Sequence, residues 1–102
     1  MTDRELLEMA AKAAGFDVMQ GVTGWCIRRD TMDSWNPLAD DGDALRLAVK
    51  LEMVVDVINR VVAGYLSDIC VDIDPEERES NPLAATRRAI VRAAAEIGKA
   101  MP

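Results

Sequence analysis

Asn81 followed by Pro82 starts the longest regular element this chain can form. An Asn side chain accepts a backbone N–H left orphaned at a helix start, and Pro at the first helical position surrenders an N–H that has no partner there. Leu83, Ile90, Ala94, Ile97 and Met101 then recur on one helical face, with Arg88, Arg92 and Glu96 together on another. The spacing predicts a helix over 82–100. Such a helix must bury its stripe against something, and only 4% of the residues are aromatic. The core must therefore come from Ala, Val, Leu, Ile and Met, small side chains that favour close helix–sheet contact over a roomy ligand cavity.

Two further helices are written as plainly. Thr2-Asp3-Arg4-Glu5 is a capping box, and Leu6, Met9, Ala10 and Ala13 follow at one-face spacing, with Gly15 as the stop. This predicts a helix over 3–14. Asp40 is the N-cap of another over 41–51, where Asp41 and Asp43 suit the helix dipole and Ala44, Leu47, Ala48 and Leu51 form the apolar face. Arg46 and Lys50 occupy solvated positions on it.

Strands fill the intervals. Residues 16–20 and 25–29 are short β-prone runs around Gly21-Val22-Thr23-Gly24, a hairpin signature. Residues 30–39 and 74–80 read as polar loops. The Val- and Ile-rich stretch 53–73 divides into strands at 53–58, 61–65 and 69–73, with turns near Asn59-Arg60 and Ser67-Asp68; β-branched residues lose rotamer freedom in helices, though a helix through Asn59 also fits the spacing. Asn36-Pro37-Leu38-Ala39 and Asn81-Pro82-Leu83-Ala84 are identical tetrapeptides, the same helix-start chemistry used twice. The order α-ββ-α-βββ-α predicts one α+β domain over 1–102, a small, mostly antiparallel sheet layered with helices.

Composition narrows the function. With 102 residues, 50% of them hydrophobic, the chain can build one core and not two. No run of about 18 apolar residues appears, and the charged N-terminus has no signal-peptide region behind it, so cytoplasmic residence is expected. In a reducing compartment Cys26 and Cys70 read as small hydrophobes. The net charge of -6 argues against binding phosphate backbones and against a polybasic membrane contact, while it permits a basic protein partner.

No histidine is present, so the commonest general base and the usual activator of Ser or Cys nucleophiles are missing. Cys26 stands near Arg28 and Arg29, which lower a thiol pKa, but a buried structural thiol is the simpler reading. No phosphate-binding glycine loop occurs. Asp72 and Asp74 share a strand face and, with Glu76 or Glu77, supply oxygen ligands of the kind Mg²⁺ or Ca²⁺ takes; equally, they mark a strand giving way to a solvated loop. We assign no catalytic residue, no metal and no cofactor. Arg87, Arg88, Arg92 and Lys99 form the one positive cluster, read as a solvated helix face. Trp35 either pins its loop to the core or stands out as a binding anchor. Two acidic edges remain. Asp33, Asp40, Asp41 and Asp43 surround Trp35, and Asp72, Asp74, Glu76, Glu77 and Glu79 follow the last strand. These ten residues are the candidate partner-binding surface.

The segment from Trp35 through Leu51, Trp35-Asn36-Pro37-Leu38-Ala39-Asp40-Asp41-Gly42-Asp43 and onward, resembles a motif of small phage and prophage proteins, the phage ABA-sandwich domain family. The segment from Ala84 to Gly98 is similar to that family's C-terminal helix, and Asp3 to Glu8 to its opening. The resemblance implies helix–sheet–helix layering and a bacteriophage origin, and it carries no catalytic residues. The expected function is a phage-encoded, non-enzymatic protein that binds a host protein or ribonucleoprotein with a basic surface, as an anti-CRISPR inhibitor of bacterial immunity does, in the host bacterial cytoplasm. Two alternatives stay open: a divalent-metal enzyme or nucleotide-binding protein using Asp72 and Asp74, and a structural or assembly protein forming a homo-oligomer.

Overall fold

The computed structural model describes residues 2–16, 18–21, 24–27, 33–64 and 68–101. Its elements run α1 (Asp3–Ala14), β1 (Val18–Gly21), β2 (Gly24–Ile27), β3 (Asp33–Ser34), α2 (Asp41–Lys50), β4 (Met53–Asp56), β5 (Val61–Gly64), β6 (Cys70–Asp72), α3 (Pro75–Ser80) and α4 (Pro82–Ala100). This is the α+β class expected from the helix and strand patterns. Asp17, Arg28, Arg29, Asp30, Tyr65 and Ser67, on which strand ends, thiol activation or a turn were placed, lie outside the described residues.

The helix boundaries follow their caps. Thr2 and Glu5 complete a reciprocal capping box, and Gly15 closes α1 at φ 75°, the left-handed conformation a glycine takes without a Cβ clash. Asp40 accepts the Asp43 N–H at the start of α2, and Asn81 accepts the Ala84 N–H at the start of α4. The stretch 74–80 is not a loop. Asp74 Oδ1 accepts the N–H groups of both Glu76 and Glu77, and Pro75 sits at the first helical position, so the cap and proline preference used for α4 also builds α3.

Strands pair antiparallel in two three-stranded sheets, β1-β2-β3 and β4-β5-β6, where a single sheet was expected. Gly21 faces Gly24 across the first hairpin. Asp33 and Ser34 were read as loop but add a third strand by pairing with Ile27 and Cys26. In the second sheet, Met53–Asp56, Val61–Gly64 and Cys70–Asp72 are strands, and a turn at 57–60 replaces the helix through Asn59. Val55, Val62 and Val71 form one cross-strand row on the inner face, and Asp56, Val61 and Asp72 form a row on the outer face.

The core lies around α4, which packs against α1, α2 and α3 and against β5 and β6. Chain order is helix, strands, helix, while in space α4 lies between α1 and the second sheet. This placement changes the stripe read from the sequence. Ala85, Ala89, Val91, Ala93, Ala95 and Gly98 are buried together with the expected Ile90 and Ala94, so α4 is apolar over most of its circumference; the expected Leu83 and Met101 are exposed. A helix in a central layer is buried on several sides, and alanine lets its neighbours come close. At Gly98 an added Cβ would lie 1.9 Å from the backbone oxygen of Met9, so the two helices touch backbone to backbone there. Arg88 meets Asp3 at one end of this pair and Lys12 Nζ donates to the Met101 carbonyl at the other, so α1 and α4 run side by side in the same direction.

Candidate functional site

The residues around Trp35 form a structural lock. Trp35 is 2% exposed, and its ring meets Phe16 edge to face at 6.0 Å, so it pins the loop and is no partner anchor. Asp43, 8% exposed, also leaves the list of surface contacts. Its Oδ2 accepts the Asn36 N–H at 2.9 Å and its Oδ1 accepts from Arg46 at 2.7 Å. That hydrogen bond raises the Arg46 pKa. Asp40 is occupied with the α2 cap, and Asp41 pairs with Arg87, whose Nε also donates to the Leu38 carbonyl at 2.9 Å. The Asn36–Ala39 segment is thus held from α2 by a carboxylate and from α4 by a guanidinium. The Asp33 side chain lies outside what the structure describes.

Arg87 and Arg88, expected on a solvated face, bind three other helices to α4. Arg87 reaches Asp41 of α2. Arg88 reaches Asp3 of α1 at 3.0 Å and Glu77 of α3 at 3.7 Å. The Asp3 hydrogen bond raises the Arg88 pKa. Arg92 and Lys99, further along α4, are exposed and form no ion pair among the described residues. Each exposed pair contributes up to about 1 kcal/mol. Their larger consequence is where the charge ends up, because cations engaged inside the fold do not neutralise carboxylates elsewhere.

Those carboxylates are on the other acidic edge. Asp68, Asp72, Glu76 and Glu79 are exposed, and none forms an ion pair or a side-chain hydrogen bond among the described residues. Asp68 and Asp72 line a cleft of about 480 Å³ with Arg92 and Glu96 of α4. Asp74 joins β6 to α3 as its cap, and Glu76 and Glu79 lie one turn apart on α3. Glu77, the remaining member, faces Arg88 instead. Of the ten residues predicted from sequence, Asp72, Asp74, Glu76 and Glu79 therefore share an exposed edge, joined by Asp68. In the Asp40–Asp43 group, Asp40 and Asp41 remain exposed but are paired with Arg46 and Arg87, and Asp43 is buried.

The Asp74 carboxylate already accepts two backbone N–H groups, and among the described residues no three Cys, Asp or Glu side chains are placed to hold a metal ion. Cys70, expected among the buried small hydrophobes, is exposed and free, because its side chain falls on the outer face of the second sheet beside Ala63. No described helix is long and apolar enough to cross a membrane.

Sequence reasoning missed one surface. Leu45, Val49, Val57, Ile58 and Leu83 are more than half exposed, and Val54 and Val55 are 48% and 38% exposed. The available signal was a mismatch of position. Leu45 and Val49 are large and apolar yet stand off the Ala44, Leu47, Ala48 face of α2, and Val54-Val55 breaks the in–out alternation of a half-covered strand.

No family model, curated protein or solved structure matches the chain.

Proposed function

We propose that this chain is a non-enzymatic binding protein whose acidic edge along β6 and α3 docks on the basic surface of a protein or ribonucleoprotein. One observation carries the reading. Asp68, Asp72, Glu76 and Glu79 are exposed and unpaired among the described residues, while Arg87 and Arg88 are engaged by carboxylates between the helices and Arg46 by Asp43 at the surface. Between Asp68 and Glu79 stand six carboxylates and one arginine, Arg78, and Arg92 lies beside Asp68 and Asp72, so the edge is net negative, and such a field steers a basic partner and sets the register of the encounter. The resemblance of the Trp35–Leu51 and Ala84–Gly98 segments to small phage proteins supports a bacteriophage setting. In that setting the partner is a host protein in the bacterial cytoplasm, and an inhibitor of immunity of the anti-CRISPR kind presents carboxylates where a nuclease complex holds phosphates.

The test is capture from bacterial host lysate at low salt with two baits, the native chain and the triple variant Asp72→Asn, Glu76→Gln, Glu79→Gln. The reading expects a partner retained by the native chain, eluted by salt, and held about tenfold more weakly by the variant, since three exposed charges at about 0.5 kcal/mol each amount to about 1.5 kcal/mol. A partner retained equally by both baits, or none retained by the native chain, overturns it.

A further inference from the structure

The two edges of the second sheet differ in kind. Gly64 N–H donates to Ile69 O at 2.9 Å and Ile73 N–H to Arg60 O at 2.8 Å, so the even-numbered residues of β5 turn their backbone groups toward β6. By alternation Val61 and Ala63 bond Asp56 and Val54 of β4, which leaves the N–H and C=O groups of Met53 and Val55 pointing away from the sheet. Nothing among the described residues bonds them. The β6 edge carries Asp68 and Asp72, the charged side chains that protect an open edge from pairing, and Pro75 follows. The β4 edge carries Val54 and Val55, and its charges, Glu52 and Asp56, stand only at its two ends.

The apolar surface continues from that edge in both directions. Leu45, Val55 and Leu83 line one groove of about 300 Å³, and Leu83 and Val57 line the adjoining one of about 370 Å³. Val49 lies one turn along α2 from Leu45, and Ile58 follows Val57 at 87% exposure. Leu45, Val55, Val57 and Leu83 thus form an uncovered apolar surface, with Val54 exposed on the other face of the same edge, and a surface of that kind marks a contact with another protein.

We propose that a second copy of this chain covers this surface, with the two β4 strands pairing antiparallel about a two-fold axis at Val55 to form one continuous six-stranded sheet. The sequence is self-complementary in that register. Val55 faces its own copy, Met53 faces Val57 and Val54 faces Asp56, so no two like charges are opposed. The neighbouring register with the same set of backbone groups, centred on Val54, opposes Glu52 and Asp56, two carboxylates, and is disfavoured. The inner-face valines meet beneath the Leu45–Val49 ridges of the two α2 helices. Asp68 and Asp72 beside and on β6 then lie on the far edges of the sheet, while Glu79 of α3 lines the Val57–Leu83 groove and comes close to the second copy.

Sedimentation of the purified chain from micromolar to millimolar concentration tests the pairing, with the fold of each variant checked by circular dichroism. The native chain is expected to sediment at twice the mass of one chain. Val55→Lys is expected to weaken association by about a hundredfold, as a central contact does, and Leu45→Lys, on an exposed helix position, reads the same surface if the strand variant does not fold. Asp72→Lys, on the opposite edge, is expected to leave the dimer intact. A native chain that stays single throughout overturns the proposal, as does a dimer that survives Val55→Lys and Leu45→Lys. A single chain that instead binds an added extended, valine-rich peptide at β4 overturns it too, since the edge then belongs to a foreign strand.

Discussion

Replacing Gly98 by Ala sets two physical effects against each other in one methyl group. In an isolated helix the change is favourable by about 1 kcal/mol, because glycine loses more backbone freedom than alanine. Within this fold the new Cβ would lie 1.9 Å from the Met9 carbonyl oxygen and 2.8 Å from its carbon. Carbon–oxygen contact begins at roughly 3.2 Å, so α1 must retreat by more than about 1 Å. The obstacle is backbone, so no rotamer change relieves it. Overpacking of this kind costs about 1–3 kcal/mol, and a gap near 1 Å also forfeits a quarter to a half of each dispersion contact along the interface. Ala10, Ala14, Ala94 and Ala95, all buried, lose contacts in this way. After the propensity gain we expect a net loss of about 2–3 kcal/mol, a fall in Tm of roughly 10–20 °C for a domain of this size. Thermal and urea unfolding followed by circular dichroism measure it. Gly15→Ala is the control. Nothing lies within 4 Å of its Cβ, so only the positive φ of 75° opposes the change, at about 1 kcal/mol. A Gly98→Ala protein as stable as the native chain, or more stable, would refute the backbone contact between α1 and α4.

Three smaller perturbations test other parts of the structure. Asp43→Ala removes the acceptor of the Asn36 N–H and the partner of Arg46, and urea unfolding should show a loss of about 1–3 kcal/mol, with Asp43→Asn costing less because one acceptor oxygen remains. Asn81→Ala removes the α4 cap and should cost about 1 kcal/mol in the same assay, while Asn81→Ser should restore most of it. Asp56 has its pKa lowered from 3.8, first by the Asn59 backbone N–H and then by the Asn59 side chain. Its contribution to the β4–β5 turn is therefore complete above that ordinary value and lost as pH falls through the lower, folded-state value. A carboxyl titration by NMR should find Asp56 below the usual range in the native chain and shifted upward in Asn59→Ala.

The parts legible in the sequence were those set by local chemistry. Capping residues and apolar spacing located α1, α2 and α4 to within a residue, because an N-cap and a first-turn proline act on backbone groups a few positions away. The same rule was present in Asp74-Pro75 and went unread, since the acidic residues behind it resemble a solvated loop and offer no apolar face to signal a helix. Burial was legible only where one face decides it. The alanines of α4 carry no directional signal, so the stripe through Ile90 and Ala94 was right in its middle but missed the other buried faces of a helix enclosed by three others and a sheet, and its ends, Leu83 and Met101, are exposed. For the candidate site, sequence showed where the carboxylates are but not which arginines hold them. Asp41 and Arg87 are far apart in the chain, and so are Asp3 and Arg88, and nothing local announces either pair. Trp35 was open to both readings until its contact with Phe16 placed it in the core.

That negative charge is gathered along β6 and α3 is open to measurement without any partner. Paired cationic and anionic nitroxide probes of equal size report the local potential at each backbone amide through the difference in their relaxation enhancement by NMR. The cationic probe should be enriched over its anionic counterpart most strongly at amides 68–80, and the enrichment should shrink in the Asp72→Asn, Glu76→Gln, Glu79→Gln variant while amides 36–46 change little. A potential no more negative along 68–80 than along 36–46, or one that the triple variant leaves unchanged, would contradict the assignment of this edge as the working surface.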